Sequence, residues 1–245
     1  MKLYGLIGYP LGHSFSKKYF TEKFQKEGLT GVGYELFSIA SIQELPSVLH
    51  ANPQLSGLNV TIPYKEKVLQ YVTEMTPAVK EIGAANTITI DGDTLIAWNT
   101  DVIGFERSFT KKLKSHHKKA LVLGSGGSSK AVQYVLKKLD IAYKVVTRNK
   151  QNKEGVIAYG DLNETIMSDH TIIINCTPAG LYPNIGEYPQ ILYEFITARH
   201  YLFDLIYRPE KTAFLQMGEA RGADIQNGYE MLVTQAEESW KIWND

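Results

Sequence analysis

The segment GLNVTIPYK, residues 57–65, brings two hydrogen-bonding side chains and a lysine close together in the chain. Apolar residues alternate with Asn59 and Thr61, which is the period of a half-buried strand and places both polar side chains on one face. Pro63 has no N–H for the sheet ladder, so it ends the strand and the turn presents Lys65 beside them. A lysine close to an oxygen atom that gains negative charge in a reaction can supply a proton, a stabilising charge or both.

Three further polar clusters follow predicted strand ends or loops of the first half, where functional sites are usually built. They are residues 13–16 with Ser14 and Ser16, residues 85–87 with Asn86, and residues 99–101 with Asp101. Each cluster alone is typical of helix caps and turns. As a set, hydroxyls, amides, a lysine and an aspartate favour a small polyhydroxylated acid as ligand. The first arginine is Arg107, so the serine hydroxyls are the predicted donors to the ligand carboxylate, on one side of an extended segment.

A glycine turn in the second half predicts a different kind of site. The segment ALVLGSGGSSKA reads as a buried strand, a tight turn and the start of a helix, with the glycines Gly124, Gly126 and Gly127. Such a turn lets the backbone approach a pyrophosphate at the helix N-terminus, although Ser129 replaces the third glycine of the fingerprint. The next strand ends in TRN, without an acidic residue. Arg148 in that segment suits the 2′-phosphate of NADP better than the free ribose of NAD.

Composition and charge argue against several other classes of protein. The 245 residues are 44% hydrophobic and 21% charged, with 26 basic and 26 acidic side chains, so no net field favours nucleic acid or an anionic membrane. The basic stretch KKLKSHHKKA has no interleaved aromatic residues and reads as a solvated helix end with a linker. Cys176 is the one cysteine and the six histidines lack ligand spacing, so no disulfide or metal site is expected. The N-terminal stretch resembles neither a signal peptide nor a membrane span, and we expect a cytoplasmic protein.

The elements that must position these residues form an α/β pattern. Strands are predicted at 2–8, 33–39, 57–62, 143–149, 171–178 and 201–207, helices at 16–28, 64–72 and from Asp101, and a hairpin around Asp91 and Gly92. The predicted domains are residues 1–100, which would bind substrate on a mainly parallel sheet, and 101–227, a Rossmann-type dinucleotide-binding domain. Residues 228–245 form an amphipathic helix that we expect to return to the first domain.

Taken in order, the polar motifs resemble those of the shikimate dehydrogenase family over nearly the whole chain. The matching segments are GYPLGHSFS (8–16), NVTIPYK (59–65), IGAANT (82–87), NTD (99–101), LGSGGSS (123–129), TRN (147–149), INCTPAG (174–180), DLIYRPEKT (204–212) and GYEMLVTQA (228–236). The resemblance implies NADPH-dependent reduction of 3-dehydroshikimate to shikimate, a step toward chorismate and the aromatic amino acids. It also implies a small-molecule partner, with neither nucleic acid nor membrane involved.

The resemblance also implies a role for each matching position. Lys65 and Asp101 match the catalytic pair. The positions that match substrate-binding residues are Ser14, Ser16, Asn59, Thr61, Asn86, Tyr207 and Gln235. The positions on the NADP(H) side are Gly124, Gly126, Gly127, Ser128, Thr147, Arg148 and Gly228. Three residues depart from the family pattern, namely Lys17, Trp98 and Glu230, and Trp98 and Glu230 are predicted to reshape the rim of the pocket.

Two other functions stay open at this stage. One is a quinate/shikimate dehydrogenase that prefers NAD, which an acidic residue at position 148 would favour. The other is a non-catalytic sensor of shikimate-like ligands, which would tend to lose the lysine and aspartate or to carry a DNA-binding domain. Arg148, Lys65 and Asp101 argue against both. The sequence leaves the oligomeric state as monomer or homodimer.

Overall fold

The computed structural model describes residues 2–12, 14–149 and 152–245, and His13 of the N-terminal motif lies outside them. The chain forms two compact units. The first unit contains Met1–Thr100 and Ala236–Asp245, and the second contains Asp101–Gln235. The first division follows Thr100 and the second follows Gln235, and the predicted domain limits at 100 and 227 stay predictions.

The first unit is built on a six-stranded sheet. Its strands are β1 Lys2–Gly8, β2 Val32–Ser38, β3 Leu55–Val60, β4 Glu74–Met75, β5 Thr87–Asp91 and β6 Thr94–Trp98. Its helices include α1 Phe15–Lys26, α2 Leu45–Ala51 and α3 Pro77–Ile82. The strand order is β2-β1-β3-β5-β6-β4. β1 runs parallel to β2 and β3, and β4 parallel to β6, while β5 is antiparallel to both β3 and β6.

Both faces of this sheet are covered, as expected for a sheet with apolar side chains on each side. One cluster of buried side chains includes Leu45 of α2 and Leu58 of β3. The cluster on the other face joins Tyr4 of β1, Phe20 of α1 and Trp243 near the C-terminus. The polar side chains near the carboxyl end of β3 therefore lie next to two hydrophobic clusters, which hold the surrounding backbone in place.

The second unit has the doubly wound order of a dinucleotide-binding fold. Its strands are β7 Lys119–Leu123, β8 Ala142–Thr147, β9 Val156–Ala158, β10 Ile172–Asn175, β11 Tyr201–Asp204 and β12 Asp224–Gln226. Its helices include α4 Asp101–Phe109, α5 Gly127–Lys138, α6 Glu164–Asp169 and α7 Ala213–Glu219. The order is β12-β11-β10-β7-β8-β9, with every pairing parallel. The chain order reverses between β7 and β10, and ligands of such sheets bind outside the carboxyl ends of strands at that point. The predicted α/β class is confirmed.

The C-terminal helix α8, Tyr229–Asn244, contributes residues to both units. Its last turns pack on the sheet of the first unit. Trp243 stacks on Tyr4 with ring centroids 4.8 Å apart, and its Nε1 donates to the Ile88 carbonyl at 2.9 Å. A Cβ at Gly57 would collide with the Trp243 ring, so glycine on β3 lets the helix approach the sheet closely.

The structure corrects one helix prediction and adds two short helices. Residues 64–72 form only a 3-10 helix, Lys67–Tyr71, because the turn at Tyr64 and the return of the chain toward β4 leave room for little more than one turn. α2 and α3 have 7 and 6 residues, too few for helical periodicity to show. Among the described residues, no helix has the length and apolar character to span a membrane, and no group of three metal-ligating side chains is found.

Candidate active site

The carboxyl ends of β1 and β3 lie side by side and carry the N-terminal polar motifs. The Thr61 N–H donates to the Ile7 carbonyl at 3.0 Å, and the Tyr9 N–H donates to the Ile62 carbonyl at 3.1 Å. The ladder between the two parallel strands thus continues past their ends. The loop that leads to Ser14 and the turn that leads to Lys65 therefore start from adjacent points.

Lys65 is held by its backbone next to the IGAANT segment. The Tyr64 N–H donates to the Thr61 carbonyl at 2.9 Å, which closes the turn, and the Ala85 N–H donates to the Lys65 carbonyl at 2.8 Å. The Tyr64 hydroxyl anchors the turn by donating to the Ile39 carbonyl at 2.6 Å. The Lys65 side chain is half-buried. The turn therefore fixes the position of the lysine relative to the segment that carries Asn86.

Asn86 presents a defined donor. Its Oδ1 lies 2.7 Å from the backbone nitrogen of Thr100, and an N–H can only donate, so this contact fixes which end of the amide is oxygen. Nδ2 lies 2.9 Å from Thr100 Oγ1, and the side chain is buried, with a relative exposure of 3%. Asp101 follows Thr100 directly, is buried and opens α4. The amide of Asn86 is thus oriented to donate to oxygen atoms.

Asn59 is buried, and both ends of its amide are bonded within the first unit. Oδ1 accepts from the Tyr34 hydroxyl at 2.8 Å. Nδ2 lies 3.0 Å from Ser239 Oγ and 3.2 Å from Thr87 Oγ1. The predicted contact of Asn59 with a substrate stays a prediction. Its hydrogen bonds to Tyr34, Ser239 and Thr87 indicate a structural role.

Sequence reasoning missed Tyr34 and Ser239. Ser239 follows Gln235 by four residues on α8, so the two lie on the same face of that helix, and this spacing was the available signal. Tyr34 lies in the middle of β2 and reads as an ordinary core residue. Only the fold shows that its hydroxyl meets Asn59, which lies 25 residues away in the sequence.

Ser14 and Ser16 do not lie in one extended segment, as the sequence had suggested, because α1 begins at Phe15 between them. Ser14 occupies the N-cap position, but its side chain makes no capping hydrogen bond within the described part of the helix. Ser16 is the second residue of α1. Burial raises the pKa of Tyr34, and the Ser16 hydroxyl opposes the rise. Ser14 thus stands at the cap position without a side-chain capping bond, Ser16 lies inside the helix, and the contact of both with a substrate stays a prediction.

Ser129, which stands at the third glycine position of the dinucleotide-binding fingerprint, closes the glycine turn of the second unit. Gly124 has a φ of +99°, and a Cβ there would lie 3.1 Å from Thr177 Cγ2, so only glycine fits this turn without strain. The Ser129 hydroxyl donates to the Gly124 carbonyl at 2.7 Å and accepts from Gln133 Nε2 at 3.0 Å. Ser129 thereby fastens the helix to the turn, which explains why a serine suits the third position.

The start of α5 fits a dinucleotide phosphate. Gly126 is its N-cap and Gly127 and Ser128 its first two residues, and helix N-termini present N–H groups to anions. No described heavy atom lies within 4 Å of the place where a Cβ of Gly126 would stand. The Gly126 backbone is therefore not crowded on the side where a Cβ would stand.

The end of β8 carries the predicted phosphate contact. The buried Thr147 hydroxyl donates to the Asn149 carbonyl at 2.7 Å and shapes the turn. Arg148 is exposed. Burial raises the pKa of Tyr159 to about 12, and the charge of Arg148 opposes this rise, so the guanidinium lies close enough to the phenol to act on it. An exposed guanidinium at this strand end suits a phosphate.

A buried carboxylate organises the carboxyl ends of β10 and β11. Asp204 Oδ1 accepts from Asn175 Nδ2 and from the Ile206 N–H, both at 3.0 Å, and Oδ2 accepts from the Thr212 hydroxyl at 2.6 Å. Asn175 Oδ1 in turn accepts from the Thr177 N–H at 3.0 Å. Burial raises the pKa of Asp204 to about 7, and its three donors oppose the rise. The carboxylate thus positions Thr177, the residue that packs against the glycine turn.

The remaining predicted residues lie around the end of β11 and the start of α8. A Cβ at Gly228 would collide with the Leu205 carbonyl, and the Gly228 N–H donates to the Ile206 carbonyl at 3.1 Å. Tyr207 is half-buried, and burial raises its pKa. Gln235 Nε2 donates to the Leu232 carbonyl at 2.9 Å within α8. Gly228 therefore has a structural reason for its identity, which is close backbone contact.

Each departure from the family pattern has a local partner. Lys17 Nζ pairs with Glu35 at 2.6 Å. Trp98 Nε1 donates to Thr89 Oγ1 at 2.9 Å. Glu230 pairs with Lys111. These contacts account for where the three side chains lie, while an effect of Trp98 or Glu230 on the pocket rim stays a prediction.

Comparisons with known proteins bear on the same motifs. Residues 6–88 match the model of the shikimate dehydrogenase substrate binding domain. The chain is 36% identical to the shikimate dehydrogenase (NADP(+)) of Methanococcus maripaludis strain C7, over 99% of this chain and 91% of that protein. The chain belongs to the shikimate dehydrogenase family.

Solved structures of the shikimate dehydrogenase family have the same fold. A chorismate mutase/shikimate 5-dehydrogenase fusion protein from Clostridium acetobutylicum is 37% identical, with a TM-score of 0.87 over 100% of this chain and 91% of that one. Shikimate 5-dehydrogenase from Thermus thermophilus, in complex with NADP(H) and shikimate, is 28% identical, with a TM-score of 0.87 over 99% and 93%. Quinate dehydrogenase from Corynebacterium glutamicum, in complex with NAD, is 25% identical, with a TM-score of 0.86 over 99% and 93%.

The structure groups the predicted residues by unit. The first unit gathers one set at the carboxyl ends of β1 and β3 and the start of β5, namely Ser14, Ser16, Asn59, Thr61, Lys65 and Asn86. The second unit carries the set at the glycine turn and the end of β8, namely Gly124, Gly126, Gly127, Ser128, Thr147 and Arg148. Asp101, Tyr207, Gly228 and Gln235 also belong to the second unit. The roles of these residues are proposals.

Proposed function

We propose that the chain catalyses the reversible NADP(H)-dependent reduction of 3-dehydroshikimate to shikimate. The observation that carries this proposal is the match, over 99% of the chain at 36% identity, to a relative named shikimate dehydrogenase (NADP(+)). The donor-oriented amide of Asn86 beside the backbone of Lys65 supports it, because a polyhydroxylated substrate needs such donors. The proposed enzyme acts as a monomer or a homodimer.

The second unit supplies the cofactor site in this proposal. NADPH, when bound, supplies the hydride that adds to the carbonyl carbon of the substrate. Gly124, Gly126, Gly127 and Ser128 would hold its pyrophosphate, because they form the turn before α5 and its first residues, where the helix N-terminus offers N–H groups. Arg148 would bind the 2′-phosphate, while Thr147 shapes the turn that carries it. Gly228 would keep the chain close to β11 on the cofactor side.

Lys65 and Asp101 would serve the reacting oxygen. As the carbonyl carbon gains the hydride, its oxygen gains negative charge and then a proton. Lys65 would stabilise this charge and deliver the proton, so that the former carbonyl oxygen becomes a hydroxyl. Asp101, buried at the start of α4, would orient the lysine and a substrate hydroxyl. Asn86 would donate a hydrogen bond to the same end of the substrate.

The other polar positions would hold the rest of the substrate. Ser14 and Ser16 would donate to the carboxylate, since the Ser14 hydroxyl is not used as a helix cap within the described residues. Thr61, which follows β3, would meet a ring hydroxyl, as would Tyr207 and Gln235 from the second unit. Asn59 completes the set, with the supporting contacts described above.

The proposal is tested by following NADPH absorbance with shikimate or quinate, each with NADP or NAD. We expect the largest kcat/KM for shikimate with NADP. Lys65→Ala should lower kcat by about 10²–10⁴-fold, the usual cost of losing a general acid–base group, with the KM for NADP unchanged. Lys80→Ala, a change at an exposed lysine of α3, is the matched control and should leave kcat unchanged.

The other outcomes of this assay identify other functions. Preferred turnover of quinate with NAD would place the chain with the quinate dehydrogenases. Binding of shikimate without turnover in the wild-type protein would indicate a sensor. Turnover that survives Lys65→Ala at half the wild-type rate would remove Lys65 from the mechanism.

A further inference from the structure

The segment that follows β10 lies directly against the glycine turn of the second unit. The Cys176 N–H donates to the Leu123 carbonyl at 2.9 Å. A Cβ at Gly124 would stand 3.1 Å from Thr177 Cγ2 and 3.3 Å from the Cys176 carbonyl oxygen. Dense packing of this kind transmits displacements from one residue to the next. The position of Gly124 therefore depends on where residues 176 and 177 are held.

Asn175 holds Thr177 by its backbone and by its side chain. Asn175 Oδ1 accepts from the Thr177 N–H at 3.0 Å and from the Thr177 hydroxyl at 2.6 Å. An N–H can only donate, so this contact identifies Oδ1 as the oxygen of the amide. The Thr177 hydroxyl also accepts from the Ala179 N–H at 3.3 Å. The hydroxyl of Thr177 is thus directed to Asn175, and its methyl group lies on the side of Gly124.

Asp204, at the end of β11, holds the other end of the Asn175 amide. Asn175 Nδ2 donates to Asp204 Oδ1 at 3.0 Å, and the Ile206 N–H donates to the same oxygen, also at 3.0 Å. Asn175 and Asp204 are register partners in the parallel pair of β10 and β11, and neither has exposed surface. We call Asp204 Oδ1, Asn175 and Thr177 the inner arm of the carboxyl group. Because the arm is buried, a donor in it that loses its acceptor stays unsatisfied.

The other oxygen of Asp204 serves a different part of the chain. Oδ2 lies 2.6 Å from Thr212 Oγ1, and Thr212 is the N-cap of α7, where its hydroxyl accepts from the Leu215 N–H at 3.4 Å. An asparagine at position 204 could present its oxygen to the inner arm and its nitrogen to Thr212. The inner arm therefore requires an acceptor at this place and not a negative charge.

We propose that Asp204 and Asn175 are positioning residues of the cofactor site: they hold Thr177 against the glycine turn, so that the turn keeps the conformation that accepts the pyrophosphate of NADP(H). This inference rests on the proposed function, because it takes a pyrophosphate at the glycine turn from it. Neither residue contacts the cofactor in this scheme. A turn that is correctly placed in only a fraction of the molecules binds its ligand more weakly by that fraction.

The test is the dissociation constant of NADP, measured by calorimetric titration without substrate. Asn175→Ala removes the acceptor of Thr177, and the Kd should rise about three- to tenfold, as if the turn were correctly placed in about a third to a tenth of the molecules. Asp204→Ala should raise the Kd as well. Asp204→Asn keeps an oxygen for the inner arm and should hold the Kd within about twofold of the wild-type value.

A milder variant carries the test if the larger changes unfold the protein. Thr177→Val removes only the hydroxyl of the inner arm, which bonds to Asn175. The Kd for NADP should rise by about twofold or more, the effect of a weak hydrogen bond. The melting temperature of each variant shows that the titration is made on folded protein.

Thr212→Val is the matched control. It removes a buried hydroxyl that bonds to the same carboxyl group, from the side of Oδ2, and it keeps the shape of the side chain. It should lower the melting temperature and leave the Kd for NADP unchanged. An unchanged Kd in both Asn175→Ala and Thr177→Val would overturn the proposal, as would an equal rise in Thr212→Val or NADP binding by Asp204→Asn that is as weak as that by Asp204→Ala. Wild-type protein that binds NADP without oxidising shikimate would instead reject the proposed function and leave this proposal standing.

Discussion

The two units position their functional residues with buried polar networks of opposite character. The network of the first unit, which we call its polar chain, consists of the hydroxyls and amides of Tyr34, Asn59, Thr87, Ser239, Thr100 and Asn86. Its one titratable group is Tyr34, whose pKa is raised by burial. The network of the second unit centres on the carboxyl group of Asp204, which is fully buried and accepts hydrogen bonds from Asn175, Ile206 and Thr212. One network is neutral at any ordinary pH, whereas the other contains a group that titrates near neutrality.

This difference has consequences for how each network tolerates change. A hydroxyl can rotate and exchange donor for acceptor, so the polar chain of the first unit can re-pair after a small loss. A backbone N–H such as that of Ile206 can only donate, so it loses its hydrogen bond when the acceptor beside it is removed. We therefore expect the second unit to depend more strongly on its central group and on pH.

The largest effect should come from deleting the central group of each network. Asp204→Ala leaves three buried donors without their acceptor and should lower the free energy of unfolding by about 3 kcal/mol or more. Asn59→Ala should cost less, about 2 kcal/mol, because Tyr34, Thr87 and Ser239 can partly re-pair. Urea denaturation of both variants at pH 8, with the wild-type protein beside them, measures the two costs. An equal or larger cost for Asn59→Ala would contradict the contrast between the networks.

A smaller effect separates the charge of Asp204 from its geometry. The folded-state pKa of about 7 lies above that of an exposed aspartate, about 3.9. Between these values the folded chain keeps a proton that the unfolded chain has lost, so this group makes the free energy of unfolding fall as pH rises from about 4 to 7. Above pH 7 its contribution is constant. Asp204→Asn keeps the shape, since an amide nitrogen can donate to Thr212 Oγ1 while its oxygen accepts from Asn175 and Ile206, and it removes this slope.

The slope is measured as a double difference. The free energy of unfolding is determined by urea denaturation at pH 5 and pH 8 for the wild-type protein and for Asp204→Asn. The wild-type value should fall between these two pH values by about 2.5 kcal/mol more than that of the variant, since the slope acts over about two pH units at about 1.4 kcal/mol each. Asn59→Ala is the control in the first unit. It introduces no titratable group, so it should keep the wild-type slope. Parallel pH profiles for wild type and Asp204→Asn would show that Asp204 is ionised in both states.

The sequence was enough to predict those parts of the fold that depend on local patterns. β1 covers residues 2–8 as predicted, and the alternating run that ends at Pro63 contains β3. The strand, glycine turn and helix at Gly124 also follow from local signals, because only glycine fits a φ of +99° in such close packing. α2 and α3 were missed because each makes fewer than two full turns, and tertiary contacts rather than periodicity stabilise them.

The polar networks could not be predicted, because their bonds join residues that are far apart in the chain. Asn59 and Ser239 are 180 residues apart, and Asn175 and Asp204 are 29 apart. Ser239 reads as one more polar residue on an amphipathic helix, and Asp204 reads as the end of a strand. The resemblance of motifs indicated the residues that are proposed to contact ligands. The residues that hydrogen-bond to one another within the two networks, such as Ser239 and Asp204, could be recognised only from the folded structure.

The smallest effect concerns two tyrosines that are neighbours across β1 and β2. Tyr4 and Tyr34 are register partners in this parallel pair, and both are buried. The Tyr34 hydroxyl belongs to the polar chain, whereas the Tyr4 hydroxyl has no hydrogen-bond partner among the described residues. A buried hydroxyl without a partner is unfavourable, so Tyr4→Phe should raise the free energy of unfolding by up to about 1 kcal/mol, and Tyr34→Phe should lower it by about 1 kcal/mol.

Both changes keep the ring, and with it the stacking of Tyr4 on Trp243 at 4.8 Å, so packing cannot account for a difference in sign. Urea denaturation of the two variants under one set of conditions decides the point. If Tyr4→Phe lowers the free energy of unfolding as much as Tyr34→Phe does, the Tyr4 hydroxyl has a hydrogen-bond partner of its own. The polar chain would then stabilise this sheet no more than an ordinary buried hydroxyl does.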